Sequence, residues 1–181
     1  VLLARAGVDA REVSFVGVGT GATAVAALRT GRVHALCHAD PIMSLLEHRG
    51  EVRLVSDLRT LTAAQELFGG AMPASCLYAP QAFLHKEPLV AQALTNAIVH
   101  ALKWLQTASP ADLIKAVPAS YVLGDRAVYL AAFNRVRETF SPNGLMPEDG
   151  PATALRALAQ AYPHMASPRV SLPRTFTDDL A

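Results

Sequence analysis

With 181 residues, 51% of them hydrophobic and 17% charged, the chain has the apolar material for a packed core and too little charge for disorder. Sixteen Lys and Arg stand against fifteen Asp and Glu, net +1, with no basic run, which excludes the electrostatic footprint of a nucleic-acid or anionic-membrane binder. No apolar stretch reaches the roughly 20 residues of a spanning helix. Cys37 and Cys76 are too few for a disulfide framework and read as two buried thiols.

Val1 to Gly7 reads as the end of a helix whose beginning is not in this sequence, so the N-terminal part of the fold is expected to be absent. The first third then repeats a strand–helix unit. Val13 to Val16 is a predicted strand, Ala22 to Thr30 a helix closed by Gly31, and Val33 to Cys37 a second strand. Asp40 and Pro41 suit the N-cap and first position of another helix, which runs to Arg49 and stops at Gly50. Val52 to Val55 is a third strand. Gly69-Gly70-Ala71-Met72-Pro73 breaks the pattern at a predicted hinge or crossover, and Ala74 to Ala79 is a fourth apolar run.

Helices dominate afterwards. Over residues 88 to 107, Val90, Leu94, Ile98, Ala101 and Leu105 fall at helical spacing, on one stripe expected to face a core. Ser109-Pro110-Ala111-Asp112 is a capping-box variant, and Tyr129, Phe133, Val136 and Phe140 form a further stripe. A turn-rich link over 141 to 150 leads to a last helix from about Pro151 to Ala161. The pattern implies an α/β fold in two parts, 1–70 as an incomplete βαβαβ lobe and 71–181 as a crossover strand and helices returning to the other lobe.

Ligands of open α/β sheets collect beyond the carboxyl ends of the strands. The first such end is Gly17-Val18-Gly19-Thr20-Gly21-Ala22, where glycines admit close backbone approach, Thr20 offers a hydroxyl and the following helix presents free N–H groups. The glycine spacing is not that of the dinucleotide fingerprint, and no Walker lysine follows. The alternative is a turn that binds nothing. At the second end, His34-Ala35-Leu36-Cys37-His38-Ala39-Asp40, strand alternation aims Cys37 and His38 to opposite faces, so a zinc site is set aside. His38 remains a ligand contact and Asp40 a cap that orients the turn. Phe68, Met72 and Pro73 flank the diglycine; Met72 is a candidate lining residue, with ordinary core as the alternative. No G-x-S-x-G elbow or paired-carboxylate arrangement proposes a nucleophile, so the chain reads as a non-enzyme without a cofactor.

Gly17 to Leu28 with Gly31, Arg32 to Pro41, Phe68 to Pro73, Leu77 to Pro80, Asn96 to Trp104, Leu123 to Arg126 and Gly144 to Pro147, in this order and spacing, resemble the substrate-binding proteins of nitrate/sulfonate/taurine-type ABC transporters. That group includes the thiamine-pyrimidine-precursor, NMT1-like proteins. The resemblance implies a type II periplasmic-binding fold of two α/β lobes with a hinge, enclosing a solute by lobe closure. It also implies an exported, periplasmic, monomeric receptor serving an ABC permease. Gly19, Thr20, Gly21, His38, Asp40 and Met72 are its expected ligand-binding residues. Two other readings share this sequence: a thiamine-pyrimidine synthase, for which the cysteine cluster is missing, and the effector-sensing domain of a transcriptional regulator.

Overall fold

The computed structural model describes residues 1–122, 124–166 and 170–181. Leu123 of the Leu123–Arg126 stretch, and residues 167–169 of the tail, lie outside them. The α-helices are α1 Leu2–Arg5, α2 Ala22–Arg29, α3 Ile42–His48, α4 Leu61–Phe68, α5 Gln81–Lys86, α6 Pro88–Thr107, α7 Pro110–Ala116, α8 Ala119–Val122, α9 Arg126–Val136 and α10 Gly150–Ala161, with short 3₁₀ turns between some of them.

The expected α/β architecture is corrected here: among the described residues there are helices and no strand. Residues 13–16, 33–37, 52–55 and 74–79 do not join one another in a ladder. Their recorded backbone bonds, such as Val33 N–H to Ala27 C=O, close turns at helix ends. Alternating apolar residues report a preference for extended backbone, but a strand exists only where a neighbour takes its N–H and C=O groups. Phe15, Val55 and Tyr78, placed by the sequence in such runs, are 76%, 90% and 88% exposed.

The helices follow their local chemistry closely. Ser109 and Asp112 form the reciprocal capping box at α7. At α4, which sequence periodicity does not announce, Thr60 Oγ1 accepts the Ala63 N–H at 3.2 Å, and Gly69 closes the helix at φ +75°. Helix α6 starts with Pro88 in its first turn, where a missing N–H costs nothing.

Two compact units result. Leu3–Asp57 with Ser109–Val136 make one; Val1–Leu2, Leu58–Ala108 and Arg137–Ala181 make the other. The Gly69-Gly70 break lies within the latter. In the unit of Leu3–Asp57, Val25 of α2 and Ile42 and Leu46 of α3 form a buried cluster, with Leu28, Leu36 and Val52 packed against it. Helix α9 packs on α3 and α7, contributing buried Val128, Ala132 and Phe133, while α7 contributes Leu113. Arg135 ties this packing down: Nη1 reaches Glu47 Oε2 at 3.0 Å and Nη2 reaches Asp57 Oδ2 at 2.7 Å. Arg29 makes a two-pronged pair with Glu51, both contacts 2.6 Å.

In the other unit, one side of α6 is occupied. The φ +83° Gly144 sits so close to Val99 and Leu102 that a Cβ there would lie 2.9 Å from Val99 Cγ2. Gln92 Nε2 donates to Leu180 C=O, Gln106 Nε2 to Phe140 C=O, and Arg137 to the carbonyls of Gln106 and Ala108. Most of the stripe expected to face a core does not: Val90, Leu94 and Ile98 are 45%, 46% and 49% exposed and Ala101 is exposed too, while Leu105 is half-buried. Cys37 and Cys76 are likewise exposed, not buried, because each sits in a run without a covering neighbour. No helix among the described residues is long and apolar enough to cross a membrane.

Leu46, with no exposed surface, should lose about 2–5 kcal/mol of unfolding free energy on truncation to alanine. Denaturant unfolding checks this, and a loss below about 1 kcal/mol would contradict the packing described. The Arg29 hydrogen bonds hold the Glu51 carboxyl below its ordinary value of 4.5. Its contribution is therefore present above that value and disappears as pH falls through the lowered one. Both partners face solvent, so the effect is small and salt-screened. Arg29→Gln should flatten the acid limb of a stability-against-pH curve at low salt, and an unchanged limb would count against the pair.

Candidate functional site

The stretch Gly17 to Gly21 leads into α2 through backbone that only glycine adopts easily: Gly19 and Gly21 both have φ +69°. Gly21 is the N-cap of α2 and makes no side-chain cap bond. A serine or aspartate cap would fill the first-turn N–H groups with its own oxygen; glycine brings none. The Thr23 hydroxyl turns back to the Thr20 carbonyl at 3.1 Å, and Thr20 itself is exposed. The start of α2 therefore meets solvent with open donors and the positive end of a helix dipole.

His38 and Asp40 lie between the Leu36 contact and α3. Half-buried His38 has Nδ1 3.0 Å from the Ala39 carbonyl, leaving Nε2 as the other polar atom of the ring. Asp40 Oδ1 accepts the Ser44 N–H at 2.9 Å. The sequence reading made Asp40 the N-cap with Pro41 at the first position. In the structure α3 begins at Ile42 with Pro41 at the cap, and Asp40 satisfies a first-turn donor from one position further back. The Asp40–Pro41 peptide is cis. Because Leu36, Ile42, Leu46 and Val25 share one cluster, the two segments are carried on elements packed together.

Met72 is elsewhere. It belongs to the unit of Leu58–Ala108, is half-buried, and follows a diglycine engaged in structural bonds. Asp149 Oδ2 accepts the Ala71 N–H at 3.0 Å; Arg156 Nη2 donates to Gly69 C=O at 3.1 Å and to Thr153 Oγ1 at 2.9 Å. A Cβ on Gly70 would collide with Thr153 Oγ1 and with Asp149 Oδ2. The diglycine is thus explained by close packing against α10. Thr153, fully buried, was not legible as part of this knot, since nothing local in the sequence pairs residue 70 with residue 153.

The model of the NMT1-like family matches residues 1–117. The chain belongs to the NMT1-like family. That membership carries a binding-protein function in general terms. A solved structure from Bordetella bronchiseptica RB50 is 50% identical to this NMT1-like chain and superposes with a TM-score of 0.94. The match covers 99% of this chain and 56% of that one, so the chain spans little more than half the length of this relative. A search of curated proteins finds no match.

Two cavities add residues that sequence reasoning did not single out. In the unit of Leu3–Asp57, a cavity of about 400 Å³ lies among Ser44, Glu47, His48, Asp125 and Arg135. Its charged groups are committed in part, Arg135 to Glu47 and Asp57, and Asp125 Oδ1 to the Val128 N–H at 3.0 Å. In the other unit, an apolar cavity of about 240 Å³ is lined by Met146, Leu155, Leu158, Met165, Leu172 and Phe176. Among the described residues no group of His, Cys, Asp and Glu is arranged to hold a metal ion.

Gly70→Ala should destabilise the protein by about 1–3 kcal/mol through overpacking against Thr153 and Asp149, whereas Gly17→Ala, with open space around its Cβ, should stay within about 0.5 kcal/mol. Equal effects of the two substitutions in thermal unfolding would refute the close-packing account.

Proposed function

We propose that this NMT1-like chain acts as the solute-binding receptor of an ABC importer, taking a small polar or anionic solute at the start of α2. The observation that carries this reading is the uncapped α2 N-terminus behind a loop of two positive-φ glycines, a place where backbone N–H groups and the helix dipole favour negative charge. Thr20 would add a hydroxyl donor and His38 a ring nitrogen. Asp40, engaged with Ser44, would hold the turn and keep its own charge turned to α3 rather than to an anion. The receptor would work outside the cytoplasm, deliver its solute to a membrane permease and perform no chemistry on it. Family membership and the absence of an evident nucleophile in the sequence support that choice over an enzyme.

Thermal-shift titration with nitrate, sulfate, small sulfonates and carboxylates tests the reading. One of these anions should raise the melting temperature saturably. Thr20→Asp, which places a carboxylate beside the open donors, should weaken that solute by about tenfold or more, the worth of a charge-assisted hydrogen bond. His38→Ala should weaken it less. Failure of every anion at millimolar concentration, or undiminished binding by Thr20→Asp, would sink the proposal.

A further inference from the structure

The sequence holds three asparagines, Asn96, Asn134 and Asn143. Asn96 stands inside α6 and Asn134 inside α9, where the backbone N–H groups are drawn into the helix ladder. Asn143 is different. It is exposed, lies in the turn between Phe140 and Met146, and is followed by Gly144 at φ +83°. Glycine puts no Cβ beside its own nitrogen, so the Gly144 nitrogen is the least shielded that an asparagine side chain can meet.

Three hydrogen bonds on this turn have the sense that a ring closure needs. The Gly144 N–H donates to Ser141 Oγ at 2.9 Å. The Ser141 hydroxyl donates in turn to Asn143 Oδ1 at 3.3 Å, and the Leu145 N–H donates to the same Oδ1 at 3.1 Å. Ser141 Oγ thus sits where a proton leaving the Gly144 nitrogen would go. Two donors meet the oxygen on which negative charge would gather if that nitrogen attacked Asn143 Cγ.

The turn is also pinned on both sides. Gln106 Nε2 donates to Phe140 C=O, and Asp178 Oδ1 accepts the Met146 N–H at 3.0 Å. Between these ties Gly144 lies so near α6 that a Cβ on it would be 2.9 Å from Val99 Cγ2. An extra backbone atom at 143–144 has no slack to enter.

We propose that Asn143-Gly144 is a self-modification site, at which Asn143 loses ammonia through a succinimide and the product releases the turn from α6. The bond from the Gly144 nitrogen to Asn143 Cγ forms as the nitrogen's proton passes to Ser141 Oγ and the serine's own proton passes to Oδ1. The Cγ–Nδ2 bond then breaks, the Oδ1 proton leaving with the amide nitrogen as ammonia, and a cyclic imide remains. Water opens it. Addition at Cγ gives aspartate; addition at the main-chain carbonyl carbon gives isoaspartate, in which the chain runs through the former side chain and gains a methylene. The sum consumes water and releases ammonia, with no change of oxidation state and no other reactant. This inference does not depend on the solute or on the transport role.

The test holds purified protein in warm, mildly alkaline buffer and weighs its proteolytic peptides at intervals. The peptide carrying Asn143 should gain the mass difference between an amide and a carboxylic acid while those carrying Asn96 and Asn134 stay unchanged, and enzymatic methylation should detect isoaspartate in it. Isomerisation at Asp149-Gly150 changes no mass and does not enter this reading. Ser141→Ala should slow the mass gain by about tenfold, and Asn143→Gln should abolish it. Aged protein should melt roughly 3 °C or more below fresh protein, whereas fresh Asn143→Asp, with the new charge but not the new methylene, should stay within about 1 °C of the parent. Reaction at Asn143 no faster than at Asn96 or Asn134 overturns the inference. So does a Ser141→Ala rate equal to or above the parent's, because the hydroxyl would then restrain the turn instead of taking the proton. Aged protein that melts as fresh protein does overturns the release from α6.

Discussion

Both segments proposed to meet solute depend on one piece of packing, the seating of Val25 against Ile42 and Leu46. That contact joins α2 to α3 through their side chains and draws in Leu36 and Val52 from the intervening and following runs. With these apolar residues fixed, the glycine loop has one place to enter α2 and the His38–Asp40 turn one place to enter α3. The polar groups at those entries are consequences of the cluster. Among the described residues neither Thr20 nor His38 has a long-range bond of its own that would hold it in position.

The closure of this unit has a second requirement, because its sequence comes from two stretches far apart. Helix α9 returns to α3 through Val128, Ala132 and Phe133, and a single guanidinium, that of Arg135, bridges carboxylates 88 and 78 residues earlier in the chain. The bridge is partly exposed and contributes modestly to stability by itself. Its geometric effect is larger, since one planar group with two acceptors fixes both the sliding and the rotation of α9.

Local signals were readable in the sequence. The capping box at Ser109, the closing glycines and the spacing over residues 88–107 gave helices where helices stand. Partnership was not readable. Alternation in Val33 to Cys37 or Val52 to Val55 says that a run would suit a sheet, yet without a neighbour's backbone groups it is only extended chain, and the expected α/β fold fails there. The same gap explains Cys37 and Cys76, assigned to an interior that no neighbouring element provides. The glycine loop and the Asp40 turn were found because their chemistry is local; the Asp149–Thr153–Arg156 knot was missed because it joins residues some eighty positions apart.

That knot also bears on how such a sequence can drift. Gly70, Asp149, Thr153 and Arg156 share one small volume and one set of hydrogen bonds, and Arg156 and Asp149 hold the backbone on either side of the glycine. A longer residue at 70 becomes tolerable only after both 149 and 153 have shortened, and shortening either first releases a hydrogen bond with nothing yet gained. The four positions therefore form an epistatic unit: each viable route through sequence space passes a less stable intermediate, so the Phe68-Gly69-Gly70-Ala71 stretch would persist for reasons of packing whether or not any ligand ever touched it.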